Sequence, residues 1–246
     1  MPAPGYRGFL SMKYVLSIFL WIIGGLYYTG FLLITLLLSF LLPVEKFDWL
    51  VKKMLRGLFR FIFFKIELEF LEKVDTSQSY IYMINHVSFF DIPLVGGFIP
   101  GFVRGIEASR QHKWPLYGWV MRRLGNIPVE RENIYASIKS YTEAELFLQK
   151  GKSLIIFPEG GRTSDGELRP FKKLPFHLAK KTQKEIIPVA ILDMFRVNNK
   201  TSLLINPGRI RLKFGEIIGI NIINDMDTVS LRDYTKKKIK NLISEQ

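Results

Sequence analysis

The chain has 246 residues, no cysteine, and 35 Lys and Arg against 22 Asp and Glu, giving +13 at pH 7. That length supports one catalytic-sized core plus an appendage, and the missing cysteine excludes disulfides, thiolate zinc sites and a Cys nucleophile. The cationic surplus implies an anionic partner, either nucleic acid or an acidic lipid surface, and the placement of apolar residues decides between them.

From Tyr14 to Leu42 no charged residue occurs and almost every side chain is apolar. As a helix, those roughly 29 residues would run about 43 Å, against about 30 Å of bilayer hydrocarbon. The stretch exceeds the h-region of a signal peptide, and no small-residue cleavage site follows it. It is longer than one upright span and shorter than two. It therefore spans with a tilt or folds back within one leaflet, with Gly24-Gly25 and Thr29-Gly30 as places for a bend.

Residues 46 to 65 then mix cations (Lys46, Lys52, Lys53, Arg56, Arg60, Lys65) with Trp49, Leu55, Phe59 and other apolar groups. Near-helical spacing of this kind describes a helix at a membrane interface, its cations against acidic headgroups. An amphipathic helix packed on an ordinary domain has the same pattern. The charges follow the apolar stretch, which places the next domain on the cytoplasmic side of the membrane. Arg7 and Lys13 on the other flank suit a hairpin with both ends on that side. Residues 1–65 are thus expected to form a membrane anchor and residues 66–246 the chemical domain.

From residue 66 the pattern is α/β: a mixed sheet flanked by helices, preceded by the membrane-binding helical segment. Short β-rich runs are expected at Ile66–Leu71, Tyr80–Ile84, Ser153–Phe157, Ile186–Leu192, Ser202–Ile205 and Arg209–Ile218. Helices are expected at Pro115–Leu124, Asn133–Gln149, Pro170–Lys181 and Thr228–Ser244. In such folds the loops at strand ends form the site.

The first informative loop is Asn85-His86-Val87-Ser88-Phe89-Phe90-Asp91. Five apart on a continuous helix, His86 and Asp91 would point about 140° from each other. They meet only if His86 stands on the turn after a strand and Asp91 in the first turn of the next helix. Ser88 as N-cap with Asp91 at N3 would make a capping box, and Pro93 is tolerated in an early turn. Asp91 would then hold one imidazole nitrogen and leave the other as a base. Read alone, the same residues also describe a helix cap beside a loop histidine. A second loop, Phe157-Pro158-Glu159-Gly160-Gly161-Arg162, offers close backbone approach at its glycines and a forked donor for phosphate. Between the two lies a strand over residues 125–131 ending on Arg131, and further on Ile187-Pro188-Val189 reads as an edge strand or a bulge.

In this order, the four blocks resemble the glycerolipid acyltransferase family, in its 1-acylglycerol-3-phosphate acyltransferase branch. The pattern is Asn-His-x4-Asp, a strand ending in Arg, Phe-Pro-Glu-Gly-(Thr or Ser)-Arg, and a Val/Ile-Pro-Val/Ile strand, over roughly residues 80 to 192. The resemblance implies His86 as base, Asp91 as its partner, Arg131 and Arg162 as phosphate ligands, and Glu159, Gly160 and Gly161 shaping the acceptor site. It implies acyl transfer from an acyl carrier protein or coenzyme A thioester to lysophosphatidic acid at a membrane, without cofactor or metal. Three departures stand out: Gly161 replaces a hydroxyl residue, Leu174-Pro175 replaces small residues, and Arg104 stands near a position that often carries lysine.

Other classes fit less of the chain. No Gly-x-Ser-x-Gly elbow occurs, and His86, His112 and His177 lack metal spacing. The apolar N-terminus argues against a nucleic-acid partner. Two alternatives stay open: acylation of glycerol 3-phosphate or another lysolipid, and a non-catalytic membrane lipid-binding protein.

Overall fold

A computed structural model describes residues 4–130 and 133–245, without the side chains of residues 4–11 and 134. Its helices are α1 (Pro4–Leu41), α2 (Val44–Phe61), α3 (Asp91–Phe98), α4 (Tyr117–Leu124), α5 (Ile134–Gln149), α6 (Leu174–Thr182), α7 (Met194–Val197), α8 (Ile220–Asp225) and α9 (Thr228–Ser244). Its strands are β1 (Lys65–Phe70), β2 (Ile81–Ile84), β3 (Val103–Ala108), β4 (Ile127–Val129), β5 (Ser153–Ile156), β6 (Ile186–Leu192) and β7 (Arg209–Phe214).

The apolar N-terminal stretch forms one helix, unbroken at Gly24-Gly25 and at Thr29-Gly30. The chain reverses at Pro43 instead, and α2 runs back along α1. Tyr27 donates its hydroxyl to the Met54 carbonyl at 2.9 Å. A Cβ on Gly57 would collide with the Tyr27 hydroxyl, so this bond forms where Gly57 has no side chain. Residues Met12–Leu41 are long and apolar enough to cross a membrane, and their outer face leaves Ile18, Ile22 and Leu26 more than half exposed.

The seven strands form one mixed sheet in the order β1-β7-β6-β2-β5-β3-β4. The run from β6 to β4 is parallel, β7 is antiparallel to β6, and β1 closes the edge parallel to β7. Strand alternation divides the apolar residues between two faces. Tyr82, Ile84, Ile155 and Ile187 join Leu20, Phe59 and Leu94 from α1, α2 and α3. Ile81, Met83, Leu154 and Ile156 meet α5, α6, α8 and α9 through residues such as Leu148, Phe176, Ile223 and Ile239. The N-terminal helices therefore share a core with one face of the sheet, and the C-terminal helices cover the other. Burial of β2, β5 and β6 on both sides explains their near-continuous apolar content.

Several expectations change. Pro188 is not on an edge: β6 lies between β2 and β7. Its strand is bulged there, because Val189 pairs with Phe214 and Ile186 with Ile218, so residues 215–217 face only 187 and 188. The Pro188 carbonyl accepts from Gly215 N at 2.8 Å, so its missing N–H also points into the bulge, where no ladder bond is lost. The strand from Arg209 stops at Phe214 for the same reason. Residues 202–205 form no strand; they lie in a loop docked on α1, with Ile205 N donating to Ser17 Oγ at 3.0 Å. Residues 103–108, unread as a strand, pair with β5 and β4 inside the sheet.

Candidate active site

All five parallel strands end toward one edge of the domain, and the loops leaving β2 and β5 meet there. Asn85, one residue past β2, is buried and exchanges two hydrogen bonds with the Ile191 backbone, accepting from its N–H at 2.7 Å and donating to its carbonyl at 3.1 Å. This side chain extends the pairing of β2 with β6 beyond the strand end and fixes where His86 begins.

His86 then stands on the turn, and Asp91 is the first residue of α3. Asp91 Oδ2 lies 2.8 Å from His86 Nδ1 and accepts from the N–H groups of Val87 at 2.6 Å and Ser88 at 2.8 Å. The structure thus brings the two together across the predicted turn. Ser88 is not the cap at the predicted position, however. Phe90 precedes the helix, and the Ser88 hydroxyl donates to Asn198 Oδ1 at 2.6 Å while accepting from Phe90 N. The carboxylate, held by three donors, reaches back to its own loop. Asp91 is fully buried and His86 nearly so, its ring stacked 4.2 Å from that of Phe157.

The second loop is locked to the first. Glu159 accepts from His86 N at 2.7 Å through one oxygen and from Arg169 N at 2.8 Å through the other. Thr163 N returns a bond to the His86 carbonyl at 2.8 Å. Burial pushes the Glu159 carboxyl up to about 7, against the two N–H donors that favour its charge. Gly160 adopts a left-handed φ of 70°, which a side chain would strain. A Cβ on Gly161 would come within 2.9 Å of Arg169 Nη1. The hydroxyl missing at Gly161 is therefore replaced in space by a guanidinium from the following loop. Arg162 lies over the Phe89 ring at 3.7 Å. Burial draws its guanidinium down from its ordinary pKa, and the Asp91 carboxylate opposes that shift.

A cavity of about 300 Å³ joins these groups. His86, Phe157, Gly161 and Arg162 line it beside Arg169 and Lys200. It continues between α2, α3 and α4, past Val51, Leu55, Val95 and Leu124. Arg131 lies outside the described residues. Arg104 is buried against Asp48 at 2.8 Å, also donates to the Leu124 and Val103 carbonyls, and lines the same cavity among the helices. Arg169, Lys200 and Arg110 were not singled out from the sequence, although all three line the cavity. Arg169 had a legible signal, a cation shortly after the Glu-Gly-Gly-Arg loop; Lys200 had none.

The imidazole of a buried imidazole–carboxylate pair and several cations thus share one cavity at the strand ends of a mixed sheet. The acyltransferase family model matches residues 65–192, and the chain belongs to that family. The crystal structure of the 1-acyl-sn-glycerophosphate (LPA) acyltransferase PlsC from Thermotoga maritima is similar over 95% of each chain, with TM-score 0.79 and 27% identity. The chloroplastic 1-acyl-sn-glycerol-3-phosphate acyltransferase of Arabidopsis thaliana is 29% identical over 170 residues, 68% of this chain and 48% of that one. The 1-acyl-sn-glycerol-3-phosphate acyltransferase of Cocos nucifera is 36% identical over 135 residues, 54% of this chain and 44% of that protein. The chain thus spans about half the length of the curated relatives it matches.

Proposed function

We propose that this protein transfers a fatty acyl group from an acyl thioester to the 2-hydroxyl of 1-acylglycerol 3-phosphate, forming phosphatidic acid. One observation carries the reading: His86 Nδ1 is held by Asp91 at 2.8 Å while the imidazole lines a cavity shared with Arg162. With Nδ1 engaged, Nε2 is the ring nitrogen left to take a proton. The relatives' names supply the acceptor.

In the reaction, the acceptor hydroxyl loses its proton to His86 as its oxygen attacks the thioester carbonyl, a contribution of about 10²–10⁴ in rate. Asp91 stabilises the imidazolium that forms. The tetrahedral intermediate then collapses, the C–S bond breaks, and the thiolate leaves with the proton returned by His86. No acyl-enzyme forms and no cofactor enters; acyl carrier protein and coenzyme A present the same thioester. Arg162 and Arg131 clamp the acceptor phosphate, turning binding energy into orientation of the hydroxyl. Glu159 and the two glycines shape that pocket. The apolar lining from α2, α3 and α4 holds acyl chain. Residues 1–65 seat the protein on the membrane, through the exposed face of α1 and the exposed α2 cations Lys46, Lys53 and Arg60, while Lys52 and Arg56 bond to carbonyls in and after α3; residues 66–246 carry the chemistry on the cytoplasmic side.

The test uses the purified full chain with labelled acyl-coenzyme A or acyl carrier protein and a panel of lysophosphatidic acid, glycerol 3-phosphate and lysophosphatidylcholine. Transfer to lysophosphatidic acid is expected, and its absence would overturn the acceptor. His86→Ala should lower turnover about 10²–10⁴-fold with lipid binding retained; undiminished turnover would remove His86 as the base.

A further inference from the structure

We infer that Lys200, on the loop between α7 and β7, is a binding residue for the phosphate of the acceptor lipid. The inference rests on the acyl-transfer reading above and adds a cation from outside the four sequence blocks. Lys200 is exposed, has no carboxylate partner among the described residues, and lines the same cavity as His86 and Arg162. An exposed ammonium and a guanidinium lining one cavity that also holds a base make an arrangement for a doubly charged oxyanion. Arginine supplies the planar fork and lysine a compact point charge.

The loop is held from two sides. Toward the catalytic turn, buried Asn198 accepts from the Ser88 hydroxyl at 2.6 Å, and its amide donates to the carbonyls of Ser202 and Leu204 at 3.3 and 3.0 Å. That one side chain closes the loop around Lys200 and ties it two residues from His86. Toward the N-terminal helix, Trp21 Nε1 donates to the Leu203 carbonyl at 2.7 Å and Ser17 Oγ is bonded to Ile205. Lys200 is therefore placed relative to both the base and α1.

This placement selects the acceptor over the donor as the source of the phosphate. Leu203 is 77% exposed and stands beside the part of α1 whose Ile18 and Ile22 are 60% and 56% exposed. An apolar loop tip next to an apolar helix face lies on the side where a lipid enters from a bilayer. The soluble thioester has no need of that side, whereas the lysolipid phosphate arrives along it.

The experiment uses the full chain on phosphatidylcholine vesicles, with acyl-coenzyme A saturating and lysophosphatidic acid varied, then the reverse. Lys200→Ala should raise KM for lysophosphatidic acid about tenfold or more, as loss of one charge-assisted hydrogen bond does. Its kcat, its KM for acyl-coenzyme A and its melting temperature should stay near the wild-type values, and Lys200→Arg should recover most of the loss. An unchanged acceptor KM would overturn the assignment, and so would a rise confined to the donor KM. Either result with an active wild type leaves the acyl-transfer reading standing, whereas an inactive wild type overturns that reading itself.

Discussion

Trp21 of α1 stacks on Phe90 with ring centroids 5.4 Å apart and planes 19° from parallel, and Phe90 is the residue before Asp91. The same indole donates to Leu203 in the loop that carries Lys200. One side chain of the apolar helix thus supports both the catalytic turn and the loop beside it.

Trp21→Ala should therefore lower kcat as well as stability. A stacked aromatic pair contributes about 0.5–1.5 kcal/mol beyond its buried area, so the loss at the catalytic turn is expected at about tenfold. Trp21→Phe keeps the ring on Phe90 but not the bond to Leu203, and should retain most turnover. Initial rates on lysophosphatidic acid, alongside thermal melting, check this; an Ala variant with reduced melting temperature and unaltered kcat would make Trp21 structural only.

At Asp91, charge and shape can be separated. Asp91→Asn leaves an oxygen for the Val87 and Ser88 N–H groups but cannot stabilise an imidazolium. Turnover should fall about 10²–10⁴-fold with little change in melting. Asp91→Ala strands two buried N–H donors, each at about 1–3 kcal/mol, so it should lose stability too. Comparing the two by acyl-transfer rate and denaturant midpoint is decisive: a fully active Asn variant contradicts the charged role.

Glu159 makes stability depend on pH. Its folded pKa of about 7 exceeds the ordinary 4.5, so the folded state holds a proton that the unfolded chain has released. The carboxyl's contribution is complete below 4.5 and is lost as pH rises through about 7. The swing is roughly 3 kcal/mol at most. Glu159→Gln is uncharged throughout and carries a fixed penalty, since its one oxygen serves only one of the two N–H donors. The melting-temperature advantage of wild type over Glu159→Gln should shrink across that window and level off above it. A constant difference would mean the carboxylate stays ionised in the fold.

Much of this site was legible along the chain because its two main loops are local. Asn85 to Asp91 and Phe157 to Arg162 each carry their groups within a few residues of a strand end. The five-residue spacing demanded a turn between His86 and Asp91, and such a turn is present. The helix at Thr228–Ser244 was equally readable, its apolar residues recurring at helical spacing behind the capping Asp227. The pairing of Arg104 with Asp48 on α2 was not legible, because local spacing does not say which distant segment a cation packs against. Ser202–Ile205 looked like a strand from its composition, yet its backbone groups pair with Ser17 and Trp21, 188 and 182 residues away.

The sequence by itself determined the apolar segment and the α/β alternation, since these depend on periodicity, and it set His86 and Asp91 five residues apart, a spacing that also fits a helix cap beside a loop histidine. Tertiary structure alone decided that Pro188 sits within the sheet at a bulge, that Arg169 reaches into the space beside Gly161, and that Lys200 shares a cavity with His86. Each of those outcomes is set by which distant segments pack together, and packing is governed by shape and hydrogen-bond partners that no local pattern encodes.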